Sequence, residues 1–563
     1  MTERDLEQRK IAYFTMEIGL DSKMPTYSGG LGVLAGDTIK SCADLGLPIV
    51  VITLLNEKGY FYQRLDENGN QTELPADWRK EDFLRLMPVK AQVFIQGRTV
   101  DIQAWEFTVK GIKDSDVPVY FLDANIPENS EYDRGLTSFL YGGDQQYRLC
   151  QEVILGIGGV RMLEALGYKN IQKYHMNEGH AGLLTLELLD KIKRERGSAV
   201  NDEDIDSVRN KCIFTTHTPV PAGHDRFPVE LVRTVLRSDL PFARPDIFLS
   251  GNEMNMTLTA LNLSRYVNGV AKSHGEVSRE MFPGHSIDSI TNGIHLRSWV
   301  SGHFKKLFDK YIPEWESDYF SLRYALSIPK EEIWQAHQDT KKELIDYVND
   351  RADQKLDYGV FTVGFARRAT SYKRADLLLI DTERLTAING IAGGIQIVYA
   401  GKAHPRDGEG KELIKRIFSK IKALKPGIKI VYLENYDMEL GRLITSGSDL
   451  WLNTPMKPQE ASGTSGMKAS LNGVPNLSVL DGWWVEGCIE SVTGWAIGSM
   501  QSEGTDSAQD AKDMYRKLED KIIPMFYGSK DKWIEIMRHA IALNASFFNT
   551  QRMVQEYVLN AYF

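Results

Sequence analysis

Paired cysteines, long apolar runs and a surplus of positive charge are all missing from this chain. Its four cysteines, Cys42, Cys150, Cys212 and Cys488, stand far apart. That excludes a paired-cysteine metal motif, argues against a disulfide framework and suits a reducing compartment. The longest apolar run, "LPIVVITLL" at 47–55, is about half a membrane span and reads as a buried strand. The first residues, "MTERDLEQRK", are charged and have no apolar segment of signal-peptide type behind them. A formal charge of −9 excludes a chain built as a whole to hold nucleic acid or an anionic membrane. Internal repeats and low-complexity tracts are lacking as well. A water-soluble cytoplasmic protein is the expectation, and nothing so far names its chemistry.

What is present is the material of a large α/β protein. The 563 residues are 42% hydrophobic and 25% charged, an ordinary balance for a chain with a real core. The second half alternates short β-rich runs with helical stretches. The runs are "GVFTVGFARR" (359–368), "GIQIVYAGKA" (394–403), "IKIVYLENY" (428–436), "DLWLNTP" (449–455) and "PNLSVLDG" (475–482). "YKRADLLLIDTERLTAI" and "GKELIKRIFSKIKALK" are predicted as helices between them. The runs are apolar throughout rather than alternating, as strands of a parallel sheet covered on both faces should be. In the first half, "KIAYFTMEIG", "YSGGLGVLAGDTIKSCADLG" and "LPIVVITLL" read as strand, glycine-rich turn into helix, and strand. "KLFDKYIPEWESDYFSLRYAL" reads as a connector. Two α/β domains facing across a cleft is the economical architecture.

Most of the second-half runs end in polar or small residues: Arg367 and Arg368, Gly401 and Lys402, Glu434 to Tyr436, and Asn453. Ligands of open α/β sheets lie beyond the carboxyl ends of the strands, so a site is expected there. "RRATSYKR" (367–374) gathers Arg367, Arg368, Lys373 and Arg374, which is either a solvated basic turn or an anion site. "SGGLG" (28–32) lacks dinucleotide spacing, but before a helix its N–H groups can nest an anion. "HMNEGH" (175–180) and "THTPVPAGHD" (216–225) bring His175, Glu178, His180, His217 and His224. Neither has the helical histidine pair of a zinc protease, and no metal is expected. Polar contacts to a sugar or to one another are the expected use, beside the plain reading of buried neutral histidines.

"EASGTSGMKAS" (460–470) sets one lysine among small residues. A helix from about 460 would align Glu460, Thr464 and Lys468 on one face, with Gly463 and Gly466 keeping that face bare. The lysine could hold an anion, form an imine with a carbonyl compound, or simply reach solvent over its small neighbours. Spacing alone does not choose among these.

Taken in order, these segments resemble the glycogen and α-glucan phosphorylase family, over a likeness running from about residue 10 to the C-terminus. "EASGTSGMKASLNG" is similar to the family's cofactor segment, "SYKR" after "RR" to its phosphate-binding run, and "LENY" to a segment beside the cofactor. "SGGLG" matches its glycine loop, "FTTHTP" its sugar-contacting histidine segment, and "VNGVAKSHGEV" with "TNGIHLRSW" the end of its N-terminal domain. The resemblance implies a two-Rossmann-domain GT-B architecture, with an N-terminal domain at 1–298, a C-terminal domain at 299–540 and a C-terminal helix at 541–563 packing back. It implies reversible phosphorolysis of an α-1,4-glucan or maltodextrin by inorganic phosphate, giving glucose 1-phosphate with retention. Pyridoxal 5′-phosphate would be held as an imine by Lys468. Its phosphate, rather than its ring, would exchange a proton with the substrate phosphate.

By the same resemblance Arg368 and Lys373 bind the substrate phosphate with Gly30 and Leu31 of the glycine loop. Arg367, Thr464 and Tyr436 serve the cofactor together with Gly30. His217, Asn292, Glu460 and Gly463 hold the reacting glucose. A homodimer is the family's usual state. The departures are Arg367 for a lysine, Thr216 for an asparagine, Glu178 for an aspartate, and Asp437 where many relatives carry an arginine. The short start implies a prokaryotic-type form without the animal enzymes' phosphorylation and nucleotide control. Two other readings stand beside this one. A nucleotide-sugar glucan synthase on the same scaffold would carry a second glutamate where Lys468 stands, and a non-catalytic glucan-binding protein would have kept only the fold.

Overall fold

The computed structural model describes residues 3–113, 115–391, 393–424, 427–499 and 506–563. The architecture is mixed α/β, built on two large sheets. The first is nine-stranded, in the order Asp288–Ser289, Tyr266–Gly269, Cys212–Thr215, Lys173–Asn177, Ile11–Thr15, Ile49–Leu54, Asp116–Asp123, Arg98–Lys110 and Arg85–Ile95. Pairing is parallel up to Asp116–Asp123 and antiparallel across the last two strands. The second sheet is six-stranded and wholly parallel: Lys429–Leu433, Ile395–Ala400, Phe361–Ala366, Leu450–Asn453, Asn476–Val479 and Gly494–Ile497. The five runs expected in the second half are all strands, and a sixth, Gly494–Ile497, went unpredicted. It is short and glycine-led, so its pattern is weak.

Two inner strands, Ile49–Leu54 and Phe361–Ala366, are buried along their whole length. Helices cover them on both faces, which is why no polar alternation marks them in the sequence. The chain order reverses around Phe361–Ala366, with Ile395–Ala400 on one side and Leu450–Asn453 on the other. Arg367 and Arg368 follow directly, so they stand at the sheet's switch point, where its crevice opens.

The glycine turn does lead into a helix, Gly30–Asp44. It lies so close to the loop after the first strand that a Cβ at Gly36 would meet the Gly19 carbonyl oxygen at 1.9 Å. Only glycine allows that approach.

Two expectations are corrected. "YKRADLLLIDTERLTAI" is not one helix: it holds 3-10 turns at Ser371–Lys373 and Leu377–Leu379, and an α-helix only from Thr382 to Asn389. The αL backbone of Arg374 breaks it, and Arg374's side chain is spent on the Thr454 and Pro455 carbonyls and on Asp510. The segment 460–470 is helical only from Ser465 to Leu471, because Gly463 takes φ +75°.

Among the contacts that join the two sheets, two bear on the arrangement. The C-terminal helix Thr550–Tyr557 lies on the first sheet: Ser41 and Thr550 share a hydroxyl hydrogen bond at 2.6 Å, and the Tyr557 hydroxyl meets Thr215 and Asn268. The hairpin of Tyr62–Leu65 and Gln71–Leu74 reaches the second sheet. Gln71 pairs with both the N–H and the carbonyl of Ala403, Gln63 donates to the Gly401 carbonyl, and Arg64 pairs with Glu434 at 2.5 Å. Among the described residues no helix is long and apolar enough to cross a membrane.

Candidate functional site

Three turns at strand ends build the site. After Phe361–Ala366 come Arg367 and Arg368; after Leu450–Asn453 comes the loop to the lysine helix Ser465–Leu471; after Ile11–Thr15 comes Glu17, facing the glycine turn. Arg367 lies 2.8 Å from Glu460 and also donates to Asn453, while Lys373 donates to the same Glu460 oxygen. All three ion-paired side chains are buried. Burial alone would raise the Glu460 pKa, but Arg367 and Lys373 outweigh it and hold it at about 2. Asp481 fixes the backbone beneath by accepting the Glu460 N–H at 2.8 Å. Gly463 must be glycine: besides its positive φ, a Cβ there would sit 3.3 Å from Glu460 and 3.4 Å from Arg367 Nη2.

Arg368 is different. It keeps solvent contact while lying among Tyr372, Tyr60, Glu17 and Tyr141, and none of the described carboxylates forms an ion pair with it. It is a cation at a strand end, left available.

Lys468 is buried in the lysine helix, its Nζ 3.4 Å from the centre of the Trp299 ring. Asn472 ties the two segments together by donating to the carbonyls of both Trp299 and Lys468. Burial lowers the Lys468 pKa to about 8, with Arg367 acting in the same direction and Asp37 opposing it. An amine in that range is partly neutral near pH 7 and can act as a nucleophile. Thr464 precedes the helix and caps it with no side-chain hydrogen bond, and Tyr436 lies near Arg367 with its hydroxyl pushed up to about 12 by burial. Gly466 does not line the site: a Cβ there would strike Asn476 and Trp483, so it serves packing.

Opposite stands the glycine turn. The Glu17 carboxylate accepts the N–H of Ser28 at 2.5 Å, that of Gly29 at 3.4 Å, and the Tyr141 hydroxyl at 2.7 Å. Around Gly29 and Gly30 there is open space where a Cβ would be, and Gly30 begins the helix without a side-chain cap. The N–H groups of Gly30 and Leu31 therefore lie at the positive end of a 15-residue helix, beside that space.

His217 donates its backbone N–H to Glu178 at 2.7 Å, and its Nε2 meets Asn177 Oδ1 at 2.6 Å. Burial drops its pKa to about 3, so its ring is neutral in the physiological range. Glu178 holds it from a φ of +74°, a strained conformation for a non-glycine residue. Asn292 is buried, and its Oδ1 has no hydrogen-bond partner among the described residues. No hydrogen bond or ion pair among the described residues joins His217 or Asn292 to the Arg367–Lys373–Glu460 cluster.

The other histidines divide. His175 is a core residue, bonded to the Tyr562 and Thr215 hydroxyls; His224 bonds Thr257; His180 faces Asp225 at 3.3 Å. Among the described residues no cluster suits a metal ion. Asp437 caps the helix Met438–Gly447 by accepting the Leu440 N–H at 2.8 Å.

Sequence reading passed over Glu17, Asp37, Tyr141, Asn472 and any role for Trp299. Glu17 carried one legible signal, an acid just past a strand end. The rest are contacts between segments distant in sequence.

The site thus joins a buried amine, unpaired with any described acid, to cations and N–H groups at the carboxyl ends of parallel strands. Cations and N–H donors of this kind suit anionic groups, and a buried, partly neutral amine suits reaction with a carbonyl. The family model described as carbohydrate phosphorylase matches residues 243–496. The maltodextrin phosphorylase of Thermococcus litoralis is 39% identical, over 98% of this chain and 70% of its own. The glycogen phosphorylase of Aquifex aeolicus is 36% identical, over 99% and 87%. An uncharacterized protein of Methanocaldococcus jannaschii is 31% identical, over 98% and 99%. This chain belongs to the carbohydrate phosphorylase family, in its prokaryotic form.

Proposed function

We propose that the chain is an α-1,4-glucan phosphorylase. It transfers the non-reducing-end glucose of an α-1,4-glucan to inorganic phosphate, reversibly and with retention, yielding α-D-glucose 1-phosphate. The observation that carries this reading is Lys468: a buried amine on an indole face, next to Arg367 and without an acid partner among the described residues. On this reading the two sheets are the cores of two Rossmann-like domains, 1–298 and 299–540, facing across the cleft in the GT-B manner. The expected return of 541–563 holds only for its later part: Met553, Val554, Tyr557 and Tyr562 pack on the first, whereas Ile541, Ala542, Ala545 and Phe548 stay in the core of the second.

The residues present fit pyridoxal 5′-phosphate. Among the described residues no carboxylate forms an ion pair with the lysine, and open space lies at the glycine turn. Lys468 would hold it covalently, with Arg367, Thr464, Tyr436 and the Gly30 turn around it. When bound, it supplies a phosphate group that exchanges a proton with the substrate phosphate.

The rest falls to this chain's own side chains. Arg368 and Lys373, with the N–H groups of Gly30 and Leu31, hold the substrate phosphate and offset the repulsion between two phosphates side by side. Glu460 stands in for an anion by neutralising Arg367 and Lys373. Arrival of phosphate releases it to accept glucose hydroxyls, alongside Gly463, neutral His217 and the Asn292 side-chain oxygen.

The test is borohydride reduction of the purified protein with pyridoxal phosphate, followed by peptide mass mapping and an assay of glucose 1-phosphate released from maltodextrin and glycogen. A pyridoxyl adduct on Lys468 with phosphate-dependent release is expected. An unmodified Lys468 in folded protein overturns the reading and turns attention to nucleotide-sugar transfer.

A further inference from the structure

Asp37 is buried on the glycine helix, with one carboxylate oxygen bonded and the other not. Its Oδ2 accepts the Trp299 indole N–H at 2.7 Å, and its Oδ1 has no hydrogen-bond partner among the described residues. A half-satisfied buried carboxylate is costly and calls for an explanation. The face of that same indole carries the Lys468 amine. Asp37 is close enough to act on Lys468 through its charge, yet the two form no ion pair. The other charged group acting on Lys468 is Arg367, which has its own partner in Glu460.

We propose that Asp37 and Trp299 work as a pair that positions Lys468. The indole N–H pins the carboxylate away from the amine, and the ring face cradles the amine instead. Without that hydrogen bond the carboxylate would be free to swing onto the ammonium, and a lysine locked in a buried ion pair stays protonated and unreactive. Asn472 holds the arrangement from the backbone side, since one amide joins the Trp299 and Lys468 carbonyls. Nothing in the local sequence shows this, because Asp37, Trp299 and Lys468 belong to three separate segments.

The inference deepens the reading of Lys468 as the cofactor lysine and rests on it for its purpose, but it can be tested without the cofactor. The full chain, freed of any cofactor, is labelled with trace acetic anhydride across pH 6 to 10, and the peptide bearing Lys468 is followed by mass. Asp37→Asn keeps an oxygen for the indole and removes the charge. Its labelling midpoint should move to lower pH, so that Lys468 labels on the order of threefold to tenfold more at pH 7. Trp299→Phe removes only the N–H and the larger ring, and Lys468 should label less. In the double variant the Trp299→Phe loss should largely vanish, because no charge remains to swing. Equal losses in both backgrounds, or an unmoved midpoint in Asp37→Asn, overturn the proposal. Thermal melts verify that each variant is folded. Should Lys468 fail to take pyridoxal phosphate while the labelling shifts as described, the functional reading fails and this inference stands. Uptake of the cofactor with unmoved labelling leaves the functional reading standing and overturns this inference.

Discussion

Two buried lysines, Lys373 and Lys468, occupy neighbouring parts of one site and meet opposite treatment. Lys373 is given a carboxylate, Glu460, which also serves Arg367. Lys468 is given an indole face, and the acid nearest in effect, Asp37, is held to that indole's N–H. Burial penalises an unpaired charge. The difference is that the first lysine remains a fixed cation that can trade one anion for another, while the second is eased toward neutrality and reaction. Degree of burial therefore says little about a lysine's task; the partner decides it.

The largest expected break of this comparison comes from Lys468→Ala. It should abolish adduct formation and lower the rate of glucose 1-phosphate release by roughly a thousandfold or more, while thermal stability without cofactor stays near wild type. Lys468→Arg, charged but unable to form an imine, should be equally inactive. Activity surviving in either would separate the lysine from the chemistry.

Glu460→Gln should act chiefly on stability. Removing one partner of a buried ion cluster costs about 3 kcal/mol in phosphate-free buffer, and added phosphate should restore more melting temperature than it adds to wild type. The sign of the pH effect follows. The folded pKa of Glu460 is lowered to about 2, so its stabilisation is complete above its unfolded value and fades as pH falls from about 4.5 toward 2. Wild type should thus lose its advantage over Glu460→Gln in acid, as read by chemical denaturation at several pH values.

Glu17→Ala tests the opposite wall. The turn it holds should loosen, raising KM for phosphate by about tenfold, and Glu17→Gln should recover most of that because an amide oxygen still accepts the Ser28 N–H. A loss in kcat alone, equal in both variants, would point instead to a role for the charge. The smallest effect is expected at the hairpin between the sheets. Arg64→Ala removes an exposed, solvent-screened pair and should leave urea unfolding nearly unchanged, whereas Gln71→Ala, which unpairs both Ala403 backbone groups, should cost more.

The parallel strands of the second half were legible because strands covered on both faces must be continuously apolar, and "FTVGFA" or "IQIVYA" can be little else. The polar clusters at their ends were legible for a related reason: apolar strands leave chemistry only to the loops. Helix limits were less so. Gly463 and Arg374 take left-handed backbone that residue type alone did not announce in their settings; the first delays the lysine helix to Ser465 and the second interrupts the other. Gly466 looked like a bare patch for a ligand until Asn476 and Trp483 proved to fill the space beside it.

What the sequence determined by itself was the inventory and its order: an acid-rich α/β chain, strand ends carrying Arg367, Arg368 and Lys373, a glycine turn before a helix, and Lys468 among small residues. What only the tertiary structure decided was which of these groups is charged, paired or free. Glu460 became the partner of two cations, Arg368 was left open, and Lys468 was placed on Trp299 with Asp37 turned aside. The physical reason is that protonation and pairing depend on burial and on neighbours a few ångströms away, and those neighbours come from distant segments, 87 residues apart for Lys373 and Glu460 and 262 for Asp37 and Trp299.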